Sequence, residues 1–178
     1  PGLRGTALKG KTIGIIGTGK IGEQVCRIAS AGFLMKVIAY DLYPDKKKAS
    51  KNNFTYVKLD ELWKKADIIS LHAPFCPETK HIINAKSIKK MKDGVIIVNT
   101  ARGGLIDTPA LVNAVKSGKV AQVAVDVLEN EKNIKKDKKM LHTKNILVTP
   151  HIAFYADDSM ELMFSEAISS IKQFMSGK

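Results

Sequence analysis

Cysteine, arginine, tryptophan and long apolar runs are all scarce in this 178-residue chain. The two cysteines, Cys26 and Cys76, lie far apart with no CxxC pair, which argues against a disulfide framework and a zinc knuckle. No apolar run approaches the ~20 residues needed to span a bilayer. The opening PGLRGTALKGK lacks the apolar stretch of a signal peptide. The expectations are no metal, no membrane partner and a cytoplasmic location. Of 29 basic residues only Arg4, Arg27 and Arg102 are arginine. Nucleic-acid readers rely on the arginine fork and on interleaved aromatics. The net charge of +12 therefore reads as a solvated lysine surface, densest in KKK at 46–48 and KNIKKDKK at 132–139, with no nucleic-acid partner. The chain begins with Pro and not Met, and reads as a piece of something longer.

The chain has 44% hydrophobic and 26% charged residues, the balance of a globular domain. Short β-rich apolar runs at 12–16, 36–40, 54–57, 67–71, 95–99, 120–125 and 145–148 alternate with helical stretches. The first helix is expected over 20–31, with Ile21, Val25 and Ile28 on its apolar face and Gly32 as its stop. Asn84 is placed to cap a helix reaching Met91, and Asp107 to open one that Gly118 closes, with Pro109 just inside. The last helix, 158–175, carries a stripe of Met160, Met163, Phe164, Ala167, Ile168, Ile171, Phe174 and Met175, which reads as core packing. Asp158 and Glu161 suggest a capping box at its start. The alternation predicts an α/β, Rossmann-type doubly wound and mainly parallel sheet of six to seven strands, with helices on both faces.

Directly after the first strand comes Gly17-Thr18-Gly19-Lys20-Ile21-Gly22, a GxGxxG opening a helix. Its glycines permit a tight turn, a close backbone approach to a pyrophosphate, and close helix–strand packing. Asp41 ends the second strand 19 residues beyond Gly22, where an acid would bond the ribose hydroxyls of NAD. A carboxylate there also repels the extra phosphate of NADP, so NAD is the expected cofactor, although Lys46–Lys48 lie close in sequence.

Ligands of open α/β sheets bind beyond the carboxyl ends of the strands. The fifth strand ends in Thr100-Ala101-Arg102, the sixth in Asp126 with Glu129 and Glu131 after it, and the seventh in Pro150-His151. An arginine fork grips a carboxylate, a histidine gives a proton to a ketone oxygen, and an acid orients that histidine. The residues alone leave Glu129 and Glu131 equivalent as the acid. His72 reads as a structural histidine, and His81 and His142 as surface or loop residues.

These segments resemble the NAD-binding domain of the D-isomer-specific 2-hydroxyacid dehydrogenases. The resemblance rests on LKGKTIGIIGTGKIG, LHAPFCPETKHIIN, MKDGVIIVNTARGGLIDTPALVNAVKSGKV, AVDVLENE and TPHIAFY, and runs from about Leu8 to Phe174. It implies an oxidoreductase that moves a hydride between NAD(H) and a small 2-oxo acid or D-2-hydroxy acid. It assigns the substrate carboxylate to Arg102, the acid/base to His151 and its supporting acid to Glu131. It sets Asp126 against the nicotinamide carboxamide, and Ala73, Pro74, Thr79, Thr100 and Ala101 along the cofactor cleft. PHIAFY is similar to the D-lactate branch, which sets Phe154 toward the substrate side chain. Lys132 stands where the family usually has proline. The family's N-terminal substrate domain is absent, and 1–9 resembles the crossover into the NAD domain. The whole of 1–178 then reads as one NAD-binding domain, half of an enzyme's cleft, binding cofactor with little turnover alone. A homodimer is the expected assembly. The alternative is a non-catalytic NAD-sensing regulatory protein, like the corepressors related to this family.

Overall fold

In the computed structural model, which describes residues 5–177, seven strands form one all-parallel sheet. The strands are β1 (Thr12–Ile16), β2 (Lys36–Tyr40), β3 (Thr55–Tyr56), β4 (Ile68–Leu71), β5 (Val95–Asn99), β6 (Val120–Val125) and β7 (Ile146–Val148). Their order is β3-β2-β1-β4-β5-β6-β7, so the winding reverses between β1 and β4. That reversal opens a crevice at the carboxyl ends of these two strands. The strands are nearly continuous apolar runs because a parallel sheet is covered on both faces. Ile16, Leu62, Ile69, Leu71, Ile97 and Leu111 anchor one core layer, and Ile15, Cys26, Val37 and Ala39 the other. Residues 1–4 of the expected crossover segment, and Lys178, lie outside the described residues.

Helix α1 (Lys20–Arg27) follows the glycine turn and passes into a single π turn, Ile28–Gly32. Of the expected face of Ile21, Val25 and Ile28, only Val25 packs against the core, and it is partly buried. Gly22, Cys26 and Ala29 are buried, whereas Ile21 is 69% exposed and Ile28 is also exposed. The physical reason lies in the turn. A Cβ on Gly22 would meet the Gly17 carbonyl oxygen at 2.0 Å, so α1 rests on the sheet through small residues. The larger Ile21 is thereby rotated toward the cleft.

Two lysine-rich stretches with no apolar periodicity are helical. Helix α2 (Lys46–Lys51) is capped by Asp45, whose carboxylate accepts from the Lys47 and Lys48 amides. The second stretch forms a 3-10 segment, Glu131–Asp137, and a later short helix, and it is held by the buried Asp137, which accepts from Asn130. Helix α3 (Leu59–Lys65) covers the sheet beside β1. Helix α4 (Ala85–Lys90) has the expected Asn84 cap, completed into a capping box by Ser87. Helix α5 (Thr108–Lys116) starts at Asp107, with Pro109 just inside, and ends before Gly118, whose φ is +79°. The short helix that follows the 3-10 segment is α6 (Lys138–Leu141).

Helix α7 (Asp157–Met175) departs furthest from expectation. None of its residues is buried: Met163, Phe164, Ile168, Ile171, Phe174 and Met175 are all exposed. The stripe is amphipathic as read, but nothing among the described residues covers it. The expected capping box is also absent. The N-cap is Ala156 without a side-chain bond, and Asp157 and Asp158 lie in the first turn, where they complement the helix dipole. No helix of the described residues is long and apolar enough to cross a membrane.

Candidate active site

The glycine loop turns at the carboxyl end of β1. Gly17 has φ +91°, and a Cβ there would lie 2.6 Å from the Ala73 amide nitrogen, so only glycine fits. Gly19 is the N-cap of α1, with no side chain capping the helix and nothing within 4 Å of where its Cβ would be. Free helix amides facing open space form the cradle a pyrophosphate needs. The residues present therefore fit a dinucleotide.

Asp41 lies beside this loop, but it is already engaged. Its Oδ2 accepts from the Thr18 amide at 2.7 Å and the Thr18 hydroxyl at 2.9 Å, and its Oδ1 accepts from the Tyr43 amide. Burial pushes this carboxyl up, yet the Thr18 and Tyr43 hydrogen bonds and the charge of Lys48 outweigh it and hold it below the ordinary carboxylate value. Thr18 thus spends its amide and hydroxyl on ordering the loop, and Tyr56 on β3 shares that hydroxyl at 2.8 Å. Lys48 itself pairs with Glu23 at 3.5 Å and donates to the Thr18 carbonyl at 3.3 Å. Beyond Asp41, an apolar slot of about 140 Å3 runs between Leu42, Tyr43, Ala73, Cys76 and Ile82. Thr79 lines it too, but its hydroxyl is consumed within the 74–79 turn, donating to the Pro74 carbonyl at 2.6 Å. It shapes the slot and does not present a free hydroxyl.

Across the switch point, Ile21, Ala73, Pro74, Phe75, Thr100 and Ala101 line a cleft of about 600 Å3 that Arg102 borders. Ile21, a residue of the glycine loop, and Phe75, which no sequence motif singles out, supply apolar surface there. Lys20 is exposed at the start of α1. His72 also lines this cleft; it shares a 2.9 Å hydrogen bond with Ser70, and burial pushes its imidazole down to about 4. It is the structural histidine expected.

The Thr100–Arg102 turn is folded by Asn99, which is fully buried. Its side chain accepts from the Ala101 amide and donates to the Arg102 carbonyl, each at 3.0 Å. Arg102 is exposed, has no ion-pair partner among the described residues, and donates only to its neighbour's carbonyl. Glu131 lines a second cleft of about 600 Å3 together with Arg102. Its carboxylate stands 3.2 Å from His151 Nδ1. The two acids left equivalent by the sequence are therefore placed apart: Glu131 faces His151, and Glu129 faces His81 at 2.5 Å. His81 is correspondingly more than a surface residue. Phe154 stands edge-on to the His151 ring at 6.1 Å between centroids.

Asp126, after β6, is buried. It is 4% exposed, and its carboxylate accepts from the Thr149 hydroxyl at 2.5 Å and from the Ile152 and Ala153 amides at 3.0 and 2.8 Å. Three donors of one loop, those of Thr149, Ile152 and Ala153, hold this carboxylate in place. Burial raises this carboxyl, but those hydrogen bonds and the charge of His151 hold it low. Its place is beneath His151, whose backbone sits at φ +56°, a strained conformation for a side chain of this size.

The family model "D-isomer specific 2-hydroxyacid dehydrogenase, NAD binding domain" matches residues 1–153. The hydroxypyruvate reductase of Blautia hydrogenotrophica is 46% identical over 96% of this chain and 52% of its own length. The apo structure of D-lactate dehydrogenase from Escherichia coli superposes with a TM-score of 0.90 at 38% identity, over 99% of this chain and 55% of that one. The D-lactate dehydrogenase of Aquifex aeolicus, complexed with NAD and lactic acid, gives 0.87 at 40% identity, over 94% and 54%. The chain spans about half the length of the curated relatives it matches.

Proposed function

This chain belongs to the D-isomer specific 2-hydroxyacid dehydrogenases, as their NAD-binding domain, and from that premise we propose that the whole protein interconverts a small, lactate-like 2-oxo acid and its D-2-hydroxy acid. The observation that carries the reading is the convergence on one rim of an unpaired Arg102 with the Glu131–His151 pair. NADH, when bound, supplies the hydride. The amides at the start of α1 hold its pyrophosphate, and Asp41 favours it over NADPH. Arg102 grips the substrate carboxylate through two parallel hydrogen bonds. His151 holds a proton at the ketone oxygen and takes it back in the reverse direction. Glu131 accepts from Nδ1 and so keeps the other ring nitrogen pointed at substrate. Phe154 borders the substrate side chain.

The side chains of His151 and Glu131 are 46% and 44% exposed, so this half of the cleft does not exclude water. Hydride transfer needs a closed site with reacting atoms ~3–3.5 Å apart. The remainder of the protein is the second wall, and it also covers the apolar stripe of α7. A second copy of the chain is the proposed assembly, for which the exposed Leu8, Phe33 and Leu34 offer apolar surface.

The test is reduction of pyruvate and larger 2-oxo acids by the whole protein with NADH, followed by chiral analysis of the product. The D-hydroxy acid is expected, with His151→Gln losing most turnover at every pH while NADH affinity stays near normal. An L-product, or no turnover of any 2-oxo acid, overturns the reading.

A further inference from the structure

We propose that the His81–Glu129 pair is a positioning node that sets the separation of Arg102 from Glu131, without itself touching substrate. The inference rests on the dehydrogenase reading above and extends it to two residues given no role there.

Three loops meet at this pair. His81, on the loop after β4, approaches one Glu129 oxygen at 2.5 Å, and the other accepts from the Thr108 amide at the start of α5. The His81 amide donates to the Gly104 carbonyl, and Ile83 pairs with Ile106, so the 81–84 segment is stitched to the chain just beyond Arg102. Gly103 closes the third side. A Cβ there would meet the Leu128 carbonyl oxygen at 2.0 Å and the Glu129 amide nitrogen at 2.5 Å, so the loop carrying Arg102 lies directly on the loop carrying the acids. The Leu128 amide in turn donates to Glu131 at 3.2 Å. Arg102 and Glu131 thus reach the same cleft from two loops whose common fastening is Glu129.

His81 holds a backbone φ of +50°, an uncommon conformation for histidine. The bond to Glu129, and the Asn84 side-chain Nδ2 donating to its carbonyl at 2.7 Å, hold it there. Burial raises the Glu129 carboxyl, but the Thr108 and His81 hydrogen bonds more than offset it and keep it ionised. A carboxylate tied to an amide and an imidazole is stiffer than a solvated surface acid. A misplacement of about 1 Å at a reacting group costs on the order of 100-fold in rate.

The experiment uses the whole protein and oxamate, an unreactive carboxylate that mimics a 2-oxo acid and reports the grip of Arg102 without turnover. His81→Gln and Glu129→Gln should each weaken oxamate binding to the NADH-loaded protein about tenfold or more. KM for the 2-oxo acid should rise in parallel, NADH affinity should stay within about twofold, and the melting temperature should stay within a few degrees. The double variant should be no worse than either single one, because both break one fastening. Oxamate affinity unchanged in both variants overturns the proposal. So does a fall in oxamate affinity matched by equal losses of NADH affinity and melting temperature, which marks a merely structural pair. A wild type that reduces no 2-oxo acid fails differently, since it removes the dehydrogenase reading before the variants are compared.

Discussion

Burial at His72 makes this domain acid-sensitive in a specific window. The unfolded chain takes up a proton as pH falls through the ordinary histidine value of 6.5, whereas the native imidazole resists until about 4. Stability is therefore lost progressively between those values, by something on the order of 3 kcal/mol. His72→Gln can keep the hydrogen bond to Ser70 but does not titrate, so its unfolding free energy should fall less than the wild type's from pH 6.5 to 4. The lowered carboxyls of Asp41, Asp126 and Glu129 weaken stability in both proteins alike as they protonate, and cancel in the comparison. Denaturant melts across that range decide it, and parallel curves would contradict the claim. Asp126 offers a second test at this scale. Asp126→Ala leaves the Ile152 and Ala153 amides without their acceptor and frees the strained His151 loop. Turnover of the whole protein should fall about 100-fold, with NADH affinity nearly unchanged in the same titrations. Arg102 and His151 could be read from the sequence because each follows the end of an apolar strand. Asn99, His81 and the cradle under Asp126 could not, because their partners are set by loops that meet only in three dimensions.

Helix α1 carries two glycines that look alike in sequence and differ in space. Gly22 packs against the Gly17 carbonyl, whereas Gly19 faces open space. Gly22→Ala should destabilise the domain by about 1–3 kcal/mol or more, because backbone and not a flexible side chain must yield. Gly19→Ala should leave the melting temperature unchanged and weaken NADH binding about tenfold by filling the cradle. Thermal melts beside calorimetric titration separate the two, and a destabilised Gly19→Ala would contradict the assignment. The strands were legible because buried parallel strands are short apolar runs. Helix α2 and the 131–141 segment were not, since the Asp45 cap and the Asp137–Asn130 bonds that hold them are local polar contacts with no periodicity behind them. Periodicity read the amphipathic face of α7 correctly but could not say what covers it. In this chain alone, Ile168→Asp should change stability by no more than about 0.5 kcal/mol, as an exposed substitution does. In the whole protein the same change should cost several times more. Equal effects in the two would show that the stripe stays exposed.

At the scale of the molecule, the switch point between β1 and β4 sets both ends of the site. The glycine loop and Asp41 lie on the β1–β2 side, and Arg102, Glu131 and His151 follow β5, β6 and β7. The arrangement brings the glycine loop and the Arg102, Glu131 and His151 side chains to one edge of the sheet, and the chain spans about half the length of its relatives. Under the proposed function, binding of the dinucleotide is the step this chain can be tested for by itself. The direct measurement is calorimetric titration of the chain with NADH and NADPH, in parallel, on the wild type and Asp41→Ala. NADH should bind the wild type more tightly than NADPH, and Asp41→Ala should narrow the difference by removing the carboxylate that repels the 2′-phosphate. Tighter binding of NADPH to the wild type, or binding of neither cofactor, would contradict it.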